Sequence, residues 1–222
     1  MSEAASILSA NQQRVLALLS QQPEVYEHFY LSGGTALAEY YLHHRLSEDL
    51  DFFSEEIFDP QSISVVLRRL QKSGGMQGIR QEQSFNRNLF FLSLADDEIK
   101  TEFTYYPFPR ITPGKRVGAL AVDSLLDIAV NKIFTVYQKP RSRDFIDLYC
   151  LLQQEKEWTI RDLSQKAQLK FEQHLDLIQL GAQFLKAPEL RDYPRLRIEL
   201  PKKVWEDFFC EEAKKLSNEI LA

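Results

Sequence analysis

A chain of 222 residues with 44% hydrophobic and 27% charged side chains is long enough to bury a substantial core, and its composition excludes disorder. A net charge of −5 argues against broad adhesion to nucleic acid, so any such contact has to be local. The two cysteines, Cys150 and Cys210, show neither CxxC nor Cys/His zinc spacing, which sets thiol and zinc chemistry aside and leaves Cys150, on an apolar helix face, as a small core residue.

No apolar run approaches the roughly 18 residues of a membrane span, and the N-terminal MSEAASILSANQQR lacks a basic stretch followed by an apolar one. A cytoplasmic protein without membrane association is therefore expected. Between Ile7 and Ser20 the apolar residues Ile7, Leu8, Val15, Leu18 and Leu19 recur at helical spacing, which predicts a packing helix ending before Pro23. A strand, HFYLS, then runs into Gly33-Gly34-Thr35, and TALAEYYLHHR has the composition of a helix with a first turn free of large side chains. Such a start suits an anion, because unpaired N–H groups and the helix dipole point at it and glycine lets phosphate oxygens approach the backbone.

The next predicted strand, EDLDFF, alternates Asp49 and Asp51 with Leu50 and Phe52. Side chains change face at each strand residue, so the two carboxylates share one face while Leu50 and Phe52 enter a core. Like charges that close repel each other unless a cation sits between them, and a hard divalent metal is the most economical occupant. Gly-Gly alone is more often a loop, and an acidic pair more often a solvated face. Their order within one strand–turn–helix–strand unit makes the combination specific.

Asp59-Pro60 opens a helix through about Ser73, carrying Ile63, Val66, Leu67 and Leu70, and Gly74-Gly75 stops it. From Met76 to Phe108 the period becomes two: IRQEQSF, NLFFLSL and EIKTEFTYYPF read as a meander with turns around Arg87-Asn88 and Asp96-Asp97. In the third strand Ile99, Thr101, Phe103 and Tyr105 share one face, and Lys100, Glu102 and Thr104 the other. Glu102 is then either an edge-strand acid paired with Lys100 or part of a site. ITPGKRVGAL reads as a loop that could fold over a ligand.

Asp123 or Ser124 is placed to cap a helix in which Leu125, Leu126, Ile128, Ala129, Ile133 and Val136 pack inward. Lys132 sits among these apolar neighbours, by default as a snorkelling side chain. Pro140 breaks the helix, and a second begins near Ser142 with Asp144 and Asp147 on one face, either as a structural hydrogen-bond hub or to orient Lys132 and the metal ligands. Beyond Leu152 the segments TIRDLSQKAQ, FEQHLDLIQLGAQFLKA and KKVWEDFFCEEAKKLSNEIL are helical, with DYPRLRIELP a loop between the last two. The expected architecture is α+β, with a mixed-sheet core over residues 1–120 and a helical lobe over 121–222 completing a cleft. Basic clusters at Arg110, Lys115 and Arg116, at Lys139, Arg141 and Arg143, and from Arg191 to Lys203 read as ordinary solvated charge.

Two segments, GGTAL with HRLSEDLDFF, and DSLLDIAVNKIFTVYQKPRSRDFIDLYCLL, resemble the AbiEii/AbiGii, MenT-like nucleotidyltransferase toxins, which have the DNA polymerase β-like nucleotidyltransferase fold. The resemblance spans roughly residues 25–153. It implies that Asp49, Asp51 and Glu102, the last usually Asp in the family, hold Mg²⁺ or Mn²⁺, and that Glu102 could also take the proton of an acceptor hydroxyl. It further implies that Gly33, Gly34, Thr35, Arg45, Ser47, Lys132 and Asp144 serve the nucleotide, with Lys132 also catalytic and Asp147 bracing. The implied substrates are an NTP and an RNA acceptor, tRNA foremost. An antitoxin protein is the implied partner.

Overall fold

The structure is a computed structural model that describes residues 5–221, and contacts divide the chain into the units Met1–Leu125 and Leu126–Ala222. In the first unit, helix α1 (Ala10–Leu19) starts at Ser9, whose hydroxyl accepts from the Gln12 N–H while the Gln12 side chain accepts from the Ser9 N–H. This reciprocal cap explains why the helix begins after Ile7 and Leu8, which are buried but lie outside it. Short α2 (Pro23–Tyr26) leads into β1 (Tyr30–Ser32), and α3 (Gly33–Leu37) continues as one π-helical turn, Ala38–Leu42. The helix expected to reach Arg45 ends here, because His43 takes a left-handed φ of 49°.

Strand β2 (Asp49–Ser54) is followed by α4 (Pro60–Gly74), which Asp59 caps and which Gly75 ends in a left-handed conformation. Strands β3 (Gly78–Ser84), β4 (Arg87–Ser93) and β5 (Glu98–Tyr105) form the expected meander. Its first turn lies at Phe85-Asn86 instead of Arg87-Asn88, with Phe85 at φ 53°. Both Arg87 and Asn88 are paired strand residues. Part of the stretch read as loop is also in the sheet, as β6 (Arg116–Val117) and β7 (Leu120–Val122) around a positive-φ Gly118.

Among the described residues the seven strands form one mixed sheet ordered β3-β4-β5-β2-β1-β7-β6, with β2–β5 and β1–β7 parallel. Burial alternates along β2, so Leu50 and Phe52 are fully enclosed while Asp49 and Asp51 are half-open. Phe52 stacks on its register partner Phe103 at 4.8 Å. With Phe90 and Leu92 these residues make the enclosed face, each full burial of such a side chain contributing about 1.5–3 kcal/mol. The opposite face is left for polar groups.

The second unit contains most of α5 (Leu125–Gln138), then α6 (Ser142–Gln154), α7 (Ile160–Phe171), α8 (Leu177–Phe184) and α9 (Lys202–Leu221). Thr159 and Asp162 form a capping box for α7, and Glu172 ends it at φ 48°, so the FEQH stretch expected to open the next helix is non-helical after Phe171. Phe145, Phe184 and Phe209 interlock at centroid distances of 4.7–6.2 Å, with Trp205 beside Phe145. Among the described residues no helix is long and apolar enough to cross a membrane.

Candidate active site

Register brings the acidic residues together. Ser32 of β1 lies opposite Asp51 of β2, and Asp51 in turn lies beside Glu102 of β5, while Asp49 lies beside Lys100. Residues paired across a ladder share a face, so Asp49, Asp51, Glu102 and Lys100 project together on the open side of the sheet. Glu102 is not an edge-strand acid, since β5 is flanked by β4 and β2.

The diglycine turn closes against this face. Gly33 takes φ 71°, and a Cβ built on it would collide with the Asp51 carboxylate, so glycine is required there by both conformation and contact. A Cβ on Gly34 would collide with the Arg45 guanidinium and lie 3.3 Å from the Ser47 hydroxyl. Gly33, Gly34, Arg45, Ser47 and Asp51 thus lie in one cluster. Arg45 is buried, and its Nη1 donates to the Leu46 carbonyl at 2.9 Å, which makes it a brace for the turn. Thr35 is fully buried and donates its hydroxyl to the Asp49 carbonyl, tying the turn to the acidic strand.

Two braces carried no recognisable signal in the sequence. Gln12 of α1 is buried and donates to the carbonyls of Ser47 and Glu48 at 2.9 and 3.0 Å, fixing the approach to Asp49. Ser32 donates to the fully buried Asp123 at 2.6 Å, and the Asp123 N–H donates to the Leu31 carbonyl, which holds β1 immediately before the glycines. Of the two cap candidates, Asp123 and Ser124, Ser124 directly precedes the helix at Leu125, while the buried Asp123 carboxylate accepts from Ser32. The segment expected to fold over a ligand is pinned as well, since Gly114 lies so close to the backbone at Val122–Ser124 that a Cβ there would overlap the Val122 carbonyl.

Cations already attend the acids. Lys100 Nζ lies 2.8 Å from Asp49 Oδ2, and Arg87 grips Glu102 through two hydrogen bonds of 2.6 Å, joined by Thr104 at 2.8 Å. Burial by itself would push the Glu102 carboxyl up; the bonds from Arg87 and Thr104 outweigh it and hold the group below its usual range. Arg87 is shifted up, chiefly by the Glu102 bond, with the charges of Asp51 and Asp49 adding to it. Among the described residues no three His, Cys, Asp or Glu side chains are gathered as a set that could hold a metal ion. The donor chemistry nevertheless suits one: hard oxygen ligands from Asp49 and Asp51 on a single face, beside a glycine cradle that any Cβ would fill.

The helical unit holds Lys132, Asp144 and Asp147. Lys132 Nζ lies 2.8 Å from Asp144 and 2.6 Å from Asp147, and Arg141 Nε adds a 2.8 Å bond to Asp144. Burial would raise the Asp144 carboxyl, but the charge of Lys132 and the Arg141 bond bring it below its ordinary value. A second buried pair, Lys170 with Asp127 at 2.7 Å, links α7 to α5.

Comparison with known proteins places these features in context. The family model described as nucleotidyl transferase AbiEii toxin, Type IV TA system, matches residues 16–219. An uncharacterised protein of Aquifex aeolicus is 33% identical over 147 residues, covering 64% of this chain and 66% of the relative, just under two thirds of its length. The crystal structure of an H. pylori protein described as a candidate nucleotidyltransferase superposes with TM-score 0.60 at 19% identity, covering 96% of this chain and 97% of the other. That of JHP933 from Helicobacter pylori gives TM-score 0.55 at 19% identity, with 95% and 93% covered. At those identities the two structures establish a shared fold.

Proposed function

The chain belongs to the AbiEii nucleotidyltransferase toxin family, and on that premise we propose that it transfers a nucleoside monophosphate from an NTP to an acceptor hydroxyl through the open face of β2 and β5. The supporting observation is the register that sets Ser32, Asp51 and Glu102 side by side across three strands, with Gly33 against the Asp51 carboxylate. Asp49 and Asp51 are the residues that would hold Mg²⁺ or Mn²⁺, with Glu102 beside them in the grip of Arg87; such an ion would supply neutralisation of phosphoryl charge and acidification of the acceptor hydroxyl.

The chain's own residues do the positioning. Gly33 and Gly34 offer backbone close enough to take phosphate oxygens, while Thr35, Arg45 and Ser47 keep that backbone in register with Asp49. The acceptor oxygen bonds to the α-phosphorus as the bond to pyrophosphate breaks, and the hydroxyl proton passes to a carboxylate of this face. Lys132 is the further residue assigned to the polyphosphate, and Asp144 and Asp147 set its position in the helical unit. The acceptor is RNA, tRNA foremost; the location is the cytoplasm, and the activity is opposed in the cell by an antitoxin, as the type IV toxin–antitoxin family implies.

The test is incubation with each α-labelled NTP, Mg²⁺ or Mn²⁺ and total RNA. Label carried by intact RNA is the expected result. Shortened, unlabelled RNA would instead identify a phosphodiesterase using the same carboxylates, and neither outcome would identify a nucleotide- or partner-binding domain without catalysis.

A further inference from the structure

The acidic face is not waiting with bare carboxylates. Asp49, Asp51 and Glu102 meet Lys100 and Arg87 on it, and the Arg45 guanidinium lies at the adjoining glycine turn. A divalent ion brought to Asp49 has to compete with an ammonium in contact with it. Lys100 and Arg87 are held differently. Arg87 makes two charge-assisted bonds to a nearly buried Glu102 that Thr104 also grips. Lys100 makes a single contact, and the Lys100 and Asp49 side chains are 27% and 30% exposed. Its flexible four-carbon stem and point charge allow it to leave Asp49 without breaking a bidentate geometry.

We propose that Lys100 is the resident cation of the acidic site: its ammonium occupies Asp49 until a divalent ion displaces it, and it then turns to the phosphates that arrive with that ion. The proposal rests on the nucleotidyl-transfer reading. In the exchange the ion replaces Lys100 at the carboxylate and the phosphates receive the released ammonium. This assigns Lys100, which no motif singles out, to substrate binding, and leaves Arg87 as the fixed partner of Glu102.

Mn²⁺ binding, followed by electron paramagnetic resonance without nucleotide, tests the exchange directly. Lys100→Met, with Lys100→Gln as the second variant in case the first fails to fold, is expected to bind Mn²⁺ about three- to tenfold more tightly than the wild type at low salt, as removal of a competing charge requires. With Mn²⁺ saturating, the same variants are expected to bind a non-hydrolysable NTP several-fold more weakly. A packing role for Lys100 does not produce opposite signs in the two titrations. Mn²⁺ affinity that is unchanged or weaker in folded variants overturns the proposal while leaving the metal site standing. If the wild type binds Mn²⁺ no better than an Asp49→Asn/Asp51→Asn protein, the proposal falls together with the metal-dependent reading.

Discussion

Carboxylates held by basic side chains on the open face of β2 and β5 differ in their access to water from those buried among the helices of the second unit. Lys100 and Asp49 are each more than a quarter exposed, and the Arg87 side chain is half exposed. Lys170 and Asp127 are 1% and 0% exposed, and Asp144 is fully buried between Lys132 and Arg141. An accessible pair contributes little stability and can trade partners with an incoming ion or phosphate. An enclosed pair cannot trade, because removing one partner leaves a charge in a medium that does not solvate it. The Lys100–Asp49 contact is therefore open to exchange, and the Lys170–Asp127 pair is architectural.

The largest effect that separates these roles is expected at Asp51. Asp51→Asn keeps the shape that packs against Gly33 but removes one of the charges that would hold a cation. Transfer of label to RNA should fall by at least about a thousandfold, about 4 kcal/mol of barrier, with the urea midpoint unchanged. A variant that transfers label at the wild-type rate would move the chemistry away from β2.

The converse substitution is Lys170→Met, which should leave transfer per folded molecule intact and reduce stability by about 3 kcal/mol, the low end for a broken buried pair. The enclosed Asp127 carboxylate would then lack its 2.7 Å ammonium contact. Chemical denaturation is the measurement. A loss well under this would place Lys170 with the exchangeable cations of the open face.

How much of this contrast can be read from the residues depends on range. The alternation of Asp49 and Asp51 with Leu50 and Phe52 is local, and it fixes which side of β2 is acidic before any partner is known. The diglycine turn, the Asp59 cap and the Gly75 stop are equally local. The pairing of Lys100 with Asp49 instead of Glu102 depends on the parallel register of strands some fifty positions apart, which no short window encodes. Gln12 looks like any surface glutamine until α1 is placed over the loop at Ser47. Strands β6 and β7 are two and three residues long within a Gly/Pro-containing stretch, where the turn signals outweigh the period-two signal. Lys132 was legible as a lysine in an apolar helix and Asp144 and Asp147 as a same-face pair able to orient it, but the added bond from Arg141 to Asp144 was not.

The finest test of the contrast uses pH and salt together. Glu102 and Asp144 both lie below their ordinary values in the folded protein, each because its cationic partners outweigh the opposing effect of burial. For a depressed carboxyl the stability gained is present above the unfolded-state pKa, about 4 for these groups, and disappears as pH falls through the folded value. Melting temperature should accordingly hold between neutrality and about pH 5 and decline below about pH 4. Near 1 M salt the screening length is about 3 Å, which reaches the half-exposed Arg87 and Arg141 but not the Lys132–Asp144 contact, whose side chains are 10% and 0% exposed. High salt should therefore shrink the part of the acid limb that Glu102→Gln removes more than the part that Asp144→Asn removes, which keeps its enclosed Lys132 contact. Equal salt sensitivity of the two parts would mean that the Asp144 network is as open to solvent as the face of β5, and the distinction between exchangeable and architectural ion pairs would not hold for this chain.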